Sequence, residues 1–136
     1  MQPRVKLWLE RDGRVTLSDY RAELLRHVQR TGSLAQAAAA MGLSYRRAWG
    51  KIRELEANLG VALIESDVGG VGGGRSRLTP AGSDLLARYE RFTAAVARAV
   101  TALYAEHFTA APGSGEAGEQ IEPVADHPVH APRHDR

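Results

Sequence analysis

The chain has 136 residues, 18 Lys and Arg against 16 Asp and Glu, and no cysteine. That length fits one domain with a tail and allows a usable core without staples, while the missing cysteines exclude disulfides and thiolate chemistry. The opening MQPRVKLWLERDG lacks the apolar run of a signal peptide, and no stretch approaches the ~20 apolar residues of a membrane span, so a cytoplasmic protein with no membrane partner is expected.

The charge is unevenly placed. Residues 1–110 hold 16 Lys and Arg against 11 Asp and Glu, a balance of +5, whereas residues 111–136 hold 2 against 5, a balance of −3. The positive charge thus lies on the part expected to fold, as an anionic partner would require.

In chain order, residues 5–9 alternate as a strand and 15–17 as its partner, with Asp12-Gly13 between them as a tight hairpin turn. Ser18 is placed to cap a helix over 19–31, whose apolar stripe is Leu24, Leu25 and Val28 and whose stop is Gly32. Ser33, with Gln36 three residues on, has capping-box spacing for a second helix. Leu34, Ala37, Ala38 and Met41 share one face of it, and its alanines keep it slim enough for a close neighbour. Gly42-Leu43-Ser44 breaks that helix, and a third follows over 45–59 with Ser44 as cap and Gly60 as stop.

Residues 62–66 and 77–79 read as short strands on either side of the glycine-rich run VGGVGGGR. Thr79-Pro80 is a helix start, a capping hydroxyl followed by proline at the first helical position. The last helix is expected over about 80–107. In it Leu85, Tyr89, Phe92, Val96, Val100 and Leu103 recur at spacings of three or four. A stripe that long has little left within one small domain to cover it, so a partner helix from a second copy is the simplest answer. Beyond residue 108 the chain turns polar and rich in Pro, Gly, Glu and His, and 109–136 reads as a disordered tail.

Function is carried by the third helix. At roughly 100° per residue, Ala48, Ile52, Leu55 and Leu59 form the inward face. Arg46, Arg47, Gly50, Arg53 and Glu54 gather opposite, with Tyr45, Trp49 and Lys51 on the flanks. Two short helices joined by Gly-Leu-Ser, the second bearing outward cations, are the layout of a helix-turn-helix whose second helix enters a DNA groove. Arginine binds a guanine edge or a phosphate, and Gly50 in mid-helix suits a close approach. The glycine-rich run has no Gly-Lys-Ser/Thr and is no P-loop. Its place between two strands makes it a wing, with Arg75 and Arg77 set to reach phosphates or a minor groove. The contrasting reading is a solvated basic helix and a bare hairpin tip.

His127, His130 and His134 stand near Asp126 and Asp135, but their spacing matches no structural zinc site. No metal, cofactor or catalytic residue is assigned, for the chain has no nucleophile elbow and no metal-ligand helix.

The run Gly32-Ser33-Leu34, Ala37-Ala38 and Gly42-Leu43-Ser44-Tyr45-Arg46-Arg47-Ala48-Trp49 resembles the N-terminal DNA-binding domain of ModE-type molybdate-responsive regulators. The similarity continues through Gly69-Gly70-Val71-Gly72-Gly73-Gly74 and Leu78-Thr79-Pro80-Ala81-Gly82, and spans roughly 20–105. The Leu-Thr-x-x-Gly element is shared more widely with LysR-type winged helices. The resemblance implies a mainly α (α+β) winged helix-turn-helix with an N-terminal β-hairpin and a long dimerisation helix at about 80–107, the whole unit spanning 1–108. It implies a homodimer on a two-fold operator in double-stranded DNA, acting as repressor or activator of molybdenum-related genes. Ser44, Tyr45, Arg46, Arg47, Gly50, Lys51, Arg53, Arg75 and Arg77 would touch DNA. Leu85, Tyr89, Phe92, Val96, Val100 and Leu103 would form the dimer contact. The family's molybdate sites lie in C-terminal β-barrel domains, which the polar residues 109–136 cannot supply, so no molybdate site is expected within this sequence. Two other readings remain beside it: a winged-helix module for protein–protein contact, and a small molybdate or metal carrier.

Overall fold

The computed structural model of the chain describes residues 1–67 and 75–109. Its first element is an antiparallel hairpin of β1 (Trp8–Arg11) and β2 (Arg14–Ser18). The turn is Asp12-Gly13, both with positive φ (53° and 75°), which is the backbone twist that a two-residue hairpin favours. Arg11 therefore pairs with Arg14 and Trp8 with Ser18, with a register shift between Leu9 and Glu10.

This corrects the strand expected at 5–9. Ser18 ends β2 because its hydroxyl turns to accept the N–H of Arg21 as cap of the following helix. No strand residue is left to pair with Val5, so β1 begins at Trp8.

Three helices follow: α1 (Asp19–Thr31), α2 (Leu34–Ala40) and α3 (Tyr45–Leu59). The caps are those expected. Ser33 accepts from the N–H of Gln36 and Ser44 from that of Arg47, each satisfying a donor the first turn leaves open. Leu24, Leu25 and Val28 of α1, Leu34, Ala37 and Ala38 of α2, and Ala48, Ile52 and Leu55 of α3 are all buried in one cluster. The alanines of α2 let it lie close between its neighbours, while Met41, Trp49 and Leu59 pack at the rim of the cluster.

A second hairpin, β3 (Ile64–Ser66) with β4 (Ser76–Leu78), pairs Glu65 with Arg77. The first strand is two residues shorter than the 62–66 expected, and the second keeps its length but lies one residue earlier than the 77–79 expected. The N–H of Thr79 bonds the Leu63 carbonyl and its hydroxyl bonds that of Ala62, so both segments leave the ladder to hold the next helix. The glycine-rich tip expected as the end of the wing, residues 68–74, lies outside the described residues, as does the polar tail with its histidines from residue 110 on.

The helix α4 (Pro80–Tyr104) ends in a π-helical turn, Ala105–Thr109, rather than continuing regularly to about 107. In that turn the rings of Tyr104 and Phe108 stack with centroids 5.2 Å apart. Only the first part of α4 meets the core, through Gly82, Leu86 and Tyr89. Tyr89 is buried, and its hydroxyl lies 2.6 Å from Asp19 Oδ1 and 3.0 Å from the Leu7 carbonyl. Leu85 packs against the same core.

These contacts correct the expectation that the apolar stripe of α4 is a dimer contact throughout. Leu85 and Tyr89 serve the chain's own core, because the first turns of α4 lie over α1. From Phe92 onward the helix leaves that core. Phe92 and Leu103 are 46% and 53% exposed. Val96 and Val100 are half-buried along a cleft that the N-terminal Pro3, Val5 and Leu7 line from the other side. Among the described residues no helix is long and apolar enough to cross a membrane.

Candidate nucleic-acid interface

The helix α3 is fixed from three directions. On the α1 side, Arg21 is fully buried and its Nη2 donates to Glu54 Oε2 at 3.0 Å. Toward the first hairpin, Asn58 Nδ2 donates to the Val15 carbonyl at 2.8 Å. Toward the second, Glu56 Oε2 accepts the N–H of Leu63 at 2.7 Å and that of Ile64 at 3.4 Å. Polar side chains at positions 54, 56 and 58 thus tie the last turns of α3 to both hairpins and to α1. The first turns stay open.

That open part presents Tyr45, Arg46, Arg47, Gly50 and Arg53, all exposed. Of these five expected residues, Arg46, Arg47, Gly50 and Arg53 share the outward face, and Tyr45 stands at the margin of the buried one. Ser44 stands at the edge of the outward face, its hydroxyl occupied by the cap. A Cβ added at Gly50 would meet no atom of the described residues within 4 Å. Nothing among them therefore requires glycine there, and the bare backbone faces outward.

Lys51 departs from its expected place. It is only 8% exposed, and its Nζ lies 5.2 Å from the centre of the Tyr20 ring. On the bare helix Lys51 flanks the cationic face. In the fold α1 covers that flank and the ammonium sits over Tyr20, so Lys51 joins α3 to α1. Glu54 is also redirected. Read as part of the outward face, it is paired with buried Arg21, which offsets the one acidic group that would repel a polyanion there.

Trp49 is half-buried against the core and links two exposed side chains. The ring of Tyr45 meets it edge-on, with centroids 6.3 Å apart and planes at 86°. The Arg53 guanidinium carbon lies 5.5 Å from the centre of the indole.

On the second hairpin, the Asp67 N–H bonds the Arg75 carbonyl and closes the described part of the ladder. Arg75 is exposed. Arg77 reaches both Asp67 Oδ1 at 3.1 Å and Glu65 Oε1 at 3.4 Å. The hydrogen bond and charge of Asp67, and then the charge of Glu65, hold its guanidinium above the usual arginine pKa. Arg77 is therefore charged at every working pH, but its charge is already balanced at close range. Arg75 and Arg77 are placed on a different element from the α3 set.

Sequence reasoning passed over Arg21, Glu56 and Asn58 as parts of the site. The only signal for Arg21 was a cation at a helix position that also carries the Ser18 cap. Its partner is 33 residues away, beyond any local pattern.

Comparison with known proteins agrees with this geometry. The family model for the bacterial regulatory helix-turn-helix protein, lysR family, matches residues 21–83. That span runs from buried Arg21 through α2, α3 and the second hairpin to the start of α4. The molybdenum-pterin-binding protein MopB of Rhodobacter capsulatus is 39% identical over 90 residues, covering 66% of this chain and 33% of MopB. The transcriptional regulator ModE of Yersinia pestis is 36% identical, covering 66% and 34%. The DNA-binding transcriptional dual regulator ModE of Escherichia coli K12 is 34% identical with the same coverage. The chain spans about a third of the length of these curated relatives.

Proposed function

We propose that this chain, which carries a lysR-type helix-turn-helix over residues 21–83 and resembles the N-terminal region of ModE-type regulators, is a DNA-binding transcriptional regulator of the cytoplasm. The single observation that carries the reading is the exposed face of α3. It sets Arg46, Arg47 and Arg53 around bare Gly50, with Glu54 neutralised from behind by Arg21. A protein-binding face would need no such concentration of cations beside an open backbone.

In this reading α3 enters the major groove. Arg46 meets a base edge, Arg47 meets base or phosphate, and Gly50 lets the helix backbone approach closely. Ser44 and Tyr45 lead the helix in, while Arg75 and Arg77 of the wing hold the DNA backbone. For Arg77 this means exchanging the carboxylates of Glu65 and Asp67 for a phosphate. Residues 1–108 act as the DNA-binding unit, with α4 pairing two copies on a two-fold site. Its proposed targets are molybdenum-related genes, in keeping with its similarity to the molybdenum-pterin-binding protein MopB and to ModE regulators.

The test is enrichment of duplexes from a randomised pool by the full chain, followed by anisotropy titrations against enriched and scrambled DNA over a range of salt, with and without molybdate. Enrichment with a steep salt dependence is the expected result, and binding indifferent to both sequence and salt would reject a DNA-reading role. Arg46→Ala should cost about 1–3 kcal/mol on the enriched duplex and less on scrambled DNA. Equal loss on both would assign Arg46 to phosphate.

Gly50→Ala separates function from stability. The added methyl meets no atom of the described residues within 4 Å, so thermal unfolding should shift upward by about 0.5–1 kcal/mol of stability, the helix propensity gained over glycine. Affinity for the enriched duplex should fall nonetheless, because the methyl stands where the groove must come closest. A variant that is both more stable and equally tight would place Gly50 away from the DNA.

A further inference from the structure

We propose that Trp49 is a specificity-determining positioning residue: its indole holds the Arg53 guanidinium so that Arg53 reads a guanine edge. The inference rests on the DNA-binding reading above and deepens it, by separating one arginine of α3 from the others.

Tyr45, Trp49 and Arg53 are spaced four residues apart. Along a helix such a row advances about 40° per step, here from the margin of the buried face toward the outward face. Trp49 packs on the core with one side, so its ring cannot swing away. Tyr45 closes it edge-on from the preceding turn. The exposed remainder of the indole carries Arg53, at 5.5 Å, inside the ~6 Å range of a cation–π contact.

A free arginine on a helix surface has many rotamers, and ordering them on binding costs entropy. The indole removes much of that freedom before DNA arrives. A guanidinium laid flat on the ring keeps its in-plane N–H groups available for a base edge. Two parallel N–H donors fit two acceptors side by side. Among base edges in the major groove, guanine offers that pair at O6 and N7. Among the described residues, Arg53 is the α3 arginine held on an aromatic ring.

The experiment uses the full chain and a duplex enriched by it from a randomised pool, with each guanine replaced in turn by 7-deazaguanine, which lacks the N7 acceptor. The wild type should lose about tenfold in affinity at one guanine per half-site, the size of a lost base contact. Trp49→Leu keeps an apolar filler but no ring face. It should lose a similar factor on the unmodified duplex, become insensitive to 7-deazaguanine at that position, and bind scrambled DNA as before. Trp49→Phe, which restores a ring, should recover most of the sensitivity. Arg53→Met leaves Trp49 in place and removes the N–H donors, so it tests the contact even where Trp49→Leu fails to fold. It should also lose the 7-deazaguanine effect. Retained sensitivity in Trp49→Leu or Arg53→Met would overturn the proposal, as would a loss in Trp49→Leu that is equal on enriched and scrambled DNA. A wild type that enriches a sequence while these variants match it refutes this inference alone. A wild type that enriches nothing refutes it together with the DNA-binding reading.

Discussion

Replacing Gly82 with alanine should destabilise the chain by ~3 kcal/mol or more and lower the thermal midpoint by on the order of 10–20 °C. Gly82 is buried in the first turn of α4. A Cβ there would overlap the carbonyl oxygen of Leu63 and come within 3.0 Å of its carbonyl carbon. The obstacle is backbone, so no rotamer change relieves it. Nor can Leu63 move cheaply. Its side chain is fully buried, its N–H is held by Glu56, and its carbonyl accepts from the Thr79 N–H at 2.9 Å. Thr79 in turn caps α4 by accepting the Gly82 N–H and donates its hydroxyl to the Ala62 carbonyl. The substitution therefore pries α4 from the segment that joins α3 to the second hairpin. Urea melts followed by circular dichroism would measure the loss, and a midpoint equal to that of wild type would show that α4 can slide to accept the methyl. The neighbouring Ala81→Gly, at an exposed position of the same turn, serves as a control and should cost only about 1 kcal/mol.

Gly82 also marks where sequence stops being sufficient. The pattern Leu78-Thr79-Pro80-Ala81-Gly82 was readable as a helix start and as a family element, but the reason for its glycine is a carbonyl 19 residues upstream in the chain. What was legible is local. Ser18, Ser33, Ser44 and Thr79 cap as their spacing implies, because a cap is a contact over three residues. The inward faces of α1, α2 and α3 follow from the 3.6-residue period. The exposed arginines of α3 follow from the same period with its sign reversed. What was not legible depends on neighbours distant in sequence. Lys51, on the flank of the cationic face, and Glu54, within it, had no local reason to turn toward α1 until α1 supplied Tyr20 and Arg21. The strand expected at residues 5–9 was trimmed by the double duty of Ser18, which both ends β2 and caps α1. The stripe of α4 reads as continuous because periodicity reports which side of a helix is apolar and is silent on what covers it. Leu85 and Tyr89 are covered by the chain itself, and Phe92 and Leu103 are not.

That division sets the second large effect. Phe92→Glu with Leu103→Glu should convert the protein to a monomer and weaken its affinity for a two-fold operator by about 10²-fold or more. The two residues are 11 positions apart, which returns them to nearly the same face at about 100° per residue, with Val96 and Val100 beside them. Helices pair through such a face. Across two copies, burying the exposed halves of Phe92 and Leu103 would contribute roughly 3–6 kcal/mol of apolar transfer, against the loss of rotational and translational freedom on association. A glutamate at each position places four carboxylates in that contact and removes most of the gain. The fold of each copy should survive, since both side chains are about half exposed in the single chain and neither touches the Leu63–Thr79–Gly82 junction. DNA binding should then fail in a particular way. One α3 can still enter one groove, so affinity for an isolated half-site should be unchanged. The advantage of a second α3 about 34 Å away, held by the same dimer, should vanish. Sedimentation equilibrium and parallel titrations of half-site and full-site duplexes measure the two parts separately. A variant that stays dimeric would move the contact elsewhere on the chain. A monomer that keeps full affinity for the two-fold site would show that α4 is not what brings two recognition helices to one operator.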